Sequence, residues 1–134
     1  SLHKVYRDKS IEYKTIIDKG AAFRGEKGDL MELLGNLLDN ASKWCRSTVA
    51  LNIEPTSTTR SDGHGIIICI EDDGPGIDQD KVDMLLQRGQ RGDTLVPGHG
   101  IGLAMVREIV DSYGGEMSIT RSELLGGARI TIGF

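Results

Sequence analysis

Residues Ile66-Ile67-Ile68-Cys69-Ile70-Glu71-Asp72-Asp73-Gly74-Pro75-Gly76-Ile77 run from an almost unbroken apolar stretch into carboxylates and a glycine-proline-glycine turn. The apolar run is the length of a strand and is rich in β-branched side chains, so it predicts a buried strand. It delivers an Asp to the end of that strand. There a carboxylate can accept a hydrogen bond from an exocyclic amine, and glycines let a flat ring approach the backbone. A plain turn uses the same residues, and both readings stand at this point.

Upstream, Gly28-Asp29 leads into the clearest helix, about 29–45. At 100° per residue, Leu30, Leu33, Leu34, Leu37, Leu38, Ala41 and Cys45 fall within an arc of about 140°, a core face. Glu32, Asn36, Asn40 and Lys43 form a second stripe, with Trp44 between the two. Asparagine is a weak helix former, and two of them one turn apart cost stability. Amide oxygens one turn apart, with an ammonium beyond, suit a metal and its phosphates; an ordinary solvated face is the other reading. Downstream, Pro97-Gly98-His99-Gly100-Ile101-Gly102-Leu103 precedes an apolar-patterned helix, about 101–113. Glycines at a helix N-terminus expose backbone N–H groups to an anion. No dinucleotide-binding or Walker pattern accompanies them.

The remaining elements fill in around these three stretches. Strands are expected at Thr48–Glu54, Glu116–Arg121 and Ala128–Gly133, and strand-like pieces at Ser10–Ile17 and Ala21–Arg24. Pro55–Gly65 reads as a hairpin loop and Asp78–Leu86 as a short helical piece. Gly114-Gly115 stops the second helix. Strands, helices and strands in this order predict an α+β fold, a two-layer sandwich with one sheet face covered by helices and the other wet.

Composition narrows the function. The chain has 134 residues, one ordinary domain, and eighteen glycines, about twice the usual share of about 7%. Its net charge is −4, which argues against a nucleic-acid grip. It holds no apolar run long enough to span a membrane and opens on no signal peptide. Cys45 and Cys69 show no framework spacing and read as buried, reduced thiols of a cytosolic domain. The glycosylation-like triplet Asn40-Ala41-Ser42 lies inside a helical pattern and is discounted.

Taken in order and spacing, the three stretches resemble the ATP-binding catalytic domain of sensor histidine kinases, within the superfamily that joins gyrase, Hsp90, MutL and histidine kinases (the GHKL or Bergerat fold). Asn36-Leu37-Leu38-Asp39-Asn40-Ala41-Ser42-Lys43 resembles its N-box, Asp72-Asp73-Gly74-Pro75-Gly76 its G1 box, and Gly98-His99-Gly100-Ile101-Gly102-Leu103 its G2 box. The resemblance covers almost the whole chain. It is closest to a subgroup whose lid lacks phenylalanine, to judge by Gly35–Cys45, Glu71–Ile77, Arg88–Arg91, Asp93–Leu95 and Leu125–Arg129.

The resemblance implies a mixed, mainly antiparallel sheet of about five strands, three helices on one face, and a mobile lid at about 78–100 closing over ATP. Asp72 would accept the adenine amino hydrogen and repel a guanine carbonyl. Asn40 would bind Mg²⁺ with help from Asn36, amide oxygens being hard ligands. Lys43 and Arg91 would hold phosphate, and Trp44 would flank the adenosine. Gly74, Gly76 and Ile77, with Gly98, His99, Gly100, Ile101, Gly102 and Leu103, would line the nucleotide site. Asn40, Lys43 and Arg91 would be the catalytic set.

Two lid positions depart from the subgroup, Val96 in place of an Arg and His99 in place of a Gln. Relatives that hydrolyse ATP carry a Glu where this chain has Asn36, and an amide is no general base. The implied reaction is therefore γ-phosphoryl transfer to a histidine of a separate dimerisation domain, then to a response regulator. The phosphoacceptor histidine is expected to be absent from this chain, since His3, His64 and His99 lack its context. The fragment is expected to be monomeric, the cytoplasmic part of an inner-membrane sensor kinase. A nucleotide-binding switch, or a degenerate kinase acting as an interaction module, is the alternative.

Overall fold

A computed structural model describes residues 10–56, 65–86 and 100–134. In chain order it holds β1 (Glu12–Ile17), α1 (Lys27–Trp44), β2 (Thr48–Pro55), β3 (Ile66–Asp72), α2 (Gln79–Leu86), α3 (Gly100–Ser112), β4 (Glu116–Arg121) and β5 (Ala128–Gly133). The strands make one sheet in the order β1-β2-β3-β5-β4. Among the described residues only β1 and β2 run parallel; the other three pairings are antiparallel. This is the expected mixed sheet with three helices, an α/β sandwich.

Period-two alternation sets which face is dry. Val49, Leu51 and Ile53 of β2, Ile66, Ile68 and Ile70 of β3, and Ile130 and Ile132 of β5 point into the core. Leu33, Leu37 and Ala41 of α1 and Leu103, Val106 and Val110 of α3 meet them there. The outer face carries Glu71, Cys69, Arg129 and Thr131, with Cys69 opposite Thr131 and Glu71 opposite Arg129. Cys45 is the buried thiol expected of both cysteines. Cys69 is not: the alternation turns it to the polar face, where Arg129 Nε–H donates to its sulfur at 3.3 Å.

β2 and β3 pair antiparallel, Pro55 opposite Ile66 and Thr56 N–H bonding the Gly65 carbonyl at 3.0 Å, while residues 57–64 of the expected hairpin loop lie outside the described residues. Ala21–Arg24 corrects the sequence reading, because it is irregular and pairs with no strand. Side-chain packing holds it instead. The Phe23 ring packs edge-on against Tyr113 and Phe134, with centroids 5.1 Å away in both cases. The Tyr113 hydroxyl then ties down the start of α1. It donates to Asp29 Oδ2 at 2.6 Å and accepts the Glu26 N–H at 3.0 Å. Directly after Tyr113, at the C-terminal end of α3, Gly114 takes φ +66 and the Gly115 N–H bonds the Val110 carbonyl, a glycine stop of the kind the sequence predicts.

Leu37 is 1% exposed and sits where α1 packs on β3 and α3. Leu37→Ala should lower the unfolding free energy by about 2–5 kcal/mol, the range for a truncated core leucine. Urea denaturation followed by circular dichroism reads this directly.

Candidate nucleotide site

The end of β3 is where the fold gathers its polar groups. Asp72 is the last residue of β3 and only 4% exposed. Its Oδ1 accepts the Gly74 N–H at 2.8 Å and the Ala128 N–H at 3.3 Å. Its carbonyl accepts the Gly127 N–H at 3.0 Å. Among the described residues no hydrogen bond reaches Oδ2, which leaves that oxygen to accept from a ligand. Burial pushes the Asp72 carboxyl above the usual range, the two backbone N–H groups pull it back down, and the neighbouring Asp73 carboxylate adds to the rise.

Two glycines are dictated by this cradle. A Cβ on Gly127 would stand 2.3 Å from Asp72 Oδ1 and 2.6 Å from Gly74 N. A Cβ on Gly74 would stand 2.2 Å from the Trp44 carbonyl oxygen. The bareness of Gly74 therefore serves the seating of the α1 C-terminus against the turn, whereas the sequence alone suggests room for a ring. Gly76 takes φ +82, the left-handed turn geometry that glycine favours.

The α1 stripe lies beside this turn. Asn40 is buried at 7% exposure, Asn36 is partly buried one turn earlier, and Lys43 is exposed with its ammonium 5.8 Å from the centre of the Trp44 ring. Buried, helical Asn40 is no glycosylation acceptor. The start of α3 comes up against the same stripe: a Cβ on Gly102 would lie 4.0 Å from Asn36 Oδ1. Three of the sequence-predicted boxes thus meet, Trp44 with Gly74 and Asn36 with Gly102. Leu103 is 1% exposed and packs in the core, and Ile77 is partly buried against it. Arg91, Gly98 and His99, with Arg88 and Val96, lie outside the described residues, as does the side chain of Ile101. The helical piece foreseen at 78–86 is α2.

Sequence reasoning assigns no role to Asp73, Gly127 or Ala128. Asp73 accepts hydrogen bonds from the Arg46, Ser47 and Thr48 backbone and the Ser47 hydroxyl. Burial would raise its carboxyl, but these donors outweigh it and lower it to about 2. Its neighbour's motif hides it. Leu125-Gly126-Gly127-Ala128-Arg129 stands out as a likeness, yet nothing local in it shows that it closes on Asp72.

Comparisons with known proteins identify the family and the fold. The family model for "Histidine kinase-, DNA gyrase B-, and HSP90-like ATPase" matches residues 25–134. The virulence sensor histidine kinase PhoQ of Salmonella typhimurium strain LT2 is 43% identical over all 134 residues, and the PhoQ sensor protein of Escherichia coli strain K12 is 42% identical. The chain spans 26% of the length of each of these relatives. Among solved structures, the mycobacterial sensor histidine kinase MprB superposes with a TM-score of 0.69 at 25% identity, over 99% of this chain and 87% of that one. Full-length ShkA in complex with AMPPNP superposes with a TM-score of 0.72 over 98% of this chain and 28% of that one. At 23% identity that likeness shows the fold alone.

The lowered carboxyl of Asp73 has a pH consequence. A group with a depressed folded pKa stabilises the native state above its unfolded value, here 3.8, and loses that contribution as pH falls towards about 2. The melting temperature of the wild type should therefore fall more steeply between those values than that of Asp73→Asn. Thermal melts across the window by circular dichroism measure the difference in slope.

Proposed function

Because the chain belongs to the histidine kinase-, DNA gyrase B- and HSP90-like ATPase family, we propose that it binds ATP with Mg²⁺ and presents the γ-phosphoryl group to a histidine on another domain. The observation that carries this reading is the Asp72 cradle. A carboxylate fixed through Oδ1 keeps Oδ2 for the adenine amino group. A guanine carbonyl at the same place would meet a second acceptor, so ATP is preferred to GTP.

The residues present fit a bound Mg²⁺. Asn40 and Asn36 stand one turn apart on α1, and amide oxygens with phosphate oxygens make a hard donor set. Asn40 and Asn36 would hold the ion, which would neutralise phosphate charge. Lys43 adds a positive charge at the exposed end of the stripe and binds phosphate as a point charge. Gly102 brings the backbone of the α3 N-terminus beside Asn36, where N–H groups favour an anion. The family resemblance would add Arg91, His99 and the glycines at 98 and 100 to the same phosphate site.

What these groups supply is position and charge compensation, the main requirements of phosphoryl transfer. No carboxylate in the α1 stripe occupies the place of a water-activating base, since position 36 is an amide. Hydrolysis by the chain alone should accordingly be slow. The chemistry needs an acceptor histidine, which we assign to the dimerisation domain of the parent sensor kinase, with a response-regulator receiver next in line. In that parent the chain would be the cytoplasmic catalytic part of a membrane protein. No helix among the described residues is long and apolar enough to cross a membrane. The interaction-module alternative is not favoured, because a relative that matches the whole of this chain is a histidine kinase by name.

Calorimetric titration with AMPPNP and Mg²⁺ tests the reading. Asp72→Asn should weaken binding about 10- to 100-fold, the loss of a charge-assisted hydrogen bond at about 1.5–3 kcal/mol. Wild-type protein that is folded and binds no adenine nucleotide would overturn it, as would unchanged affinity in the variant.

A further inference from the structure

Asp73 follows Asp72 in sequence, but its side chain engages a different element. Its Oδ1 accepts the N–H groups of Arg46 at 2.7 Å, Ser47 at 3.0 Å and Thr48 at 3.1 Å. Its Oδ2 accepts the Ser47 hydroxyl at 2.8 Å and the Ser47 N–H at 3.2 Å. The Asp73 N–H returns a bond to the Thr48 carbonyl at 3.3 Å. All these partners lie in or beside the short link between the end of α1 and β2. One residue further on, Gly74 seats against the Trp44 carbonyl. The turn that carries Asp72 is thus bonded to the link that follows α1 and packs against the last residue of α1.

We propose that Asp73 is a positioning residue, a clamp that fixes the spacing between Asp72 and the Asn36–Asn40–Lys43 stripe so that one nucleotide engages both. The proposal rests on the nucleotide reading above. A ligand that touches two groups gains from their fixed separation, because its second contact is intramolecular. A ligand that touches Asp72 alone gains nothing from it. A carboxylate suits the task, since its two oxygens offer about four acceptor sites to converging donors. An amide in its place has one acceptor oxygen and turns an NH₂ group towards donors.

The test compares AMPPNP with Mg²⁺, which spans both ends, against adenosine, which reaches only the Asp72 end. Affinities are measured by calorimetry in the wild type, Asp73→Asn and Ser47→Ala, with the melting temperature of each. Asp73→Asn should weaken AMPPNP about tenfold while adenosine changes by less than about twofold, the scale of removing one charge-assisted hydrogen bond. Ser47→Ala removes one donor and keeps the carboxylate, so it should shift the same ratio in the same direction by less. Its milder change keeps the test open if Asp73→Asn folds poorly. Equal losses for both ligands, in step with the melting temperature, would reduce Asp73 to a structural role and overturn the clamp. So would an unchanged ratio. Wild type that binds neither ligand would bring down the nucleotide reading itself, and the clamp with it.

Discussion

Gly74 and Ala128 each aim a backbone N–H at one oxygen of Asp72, in a place where burial alone would favour the protonated acid. That pair of bonds constrains much of what surrounds it. The donors come from two separate parts of the chain, the turn after β3 and the start of β5. To reach the carboxylate, β5 must lie beside β3, and the residue before Ala128 must have no side chain. Gly127 meets that condition, and its own N–H bonds the Asp72 carbonyl. A bare turn and the adjacency of β3 and β5 accompany the housing of one carboxylate at a strand end.

Helix α1 joins this centre to the rest of the fold. Its apolar face supplies Leu33, Leu37 and Ala41 to the core, and its other face carries Asn36, Asn40 and Lys43. The core face and the stripe proposed to face the phosphates therefore share one rigid element, an arrangement that holds side chains firmly in register with a scaffold. The two ends of α1 are secured differently. The Tyr113 hydroxyl bonds Asp29 and Glu26 at the start, while the end abuts Gly74 and continues into the loop that Asp73 gathers. Tyr13 adds a side tie, its hydroxyl 2.7 Å from that of Ser42, which links β1 to the last turn of α1.

Much of this is legible in the sequence because it is periodic or punctuated. The α1 stripes, the β3 run and the double glycine after α3 each show within a window of a few turns. The features that are not legible are bonds between distant positions. Nothing near Phe23 announces a ring cluster with Tyr113 and Phe134, so Ala21–Arg24 reads as a strand on its apolar content. Cys69 sits in an apolar run and reads as buried, yet period two sends it to the outer face beside Arg129. Asp73 stands beside a residue with a clearer role. The glycine at 74 does signal close approach, but what approaches is the Trp44 carbonyl, a fact of packing that no local pattern encodes. Arg91, Gly98 and His99 rest on the family resemblance and lie outside the described residues.

The central claim is that one buried carboxylate anchors a purine while the amide stripe of α1 faces the phosphates. A crystal structure of the domain with AMPPNP and Mg²⁺ tests it most directly. The account predicts the adenine amino group within hydrogen-bond distance of Asp72 Oδ2, with the triphosphate running along Asn36, Asn40 and Lys43. A nucleotide bound elsewhere, or bound there with its purine away from Asp72, would contradict it.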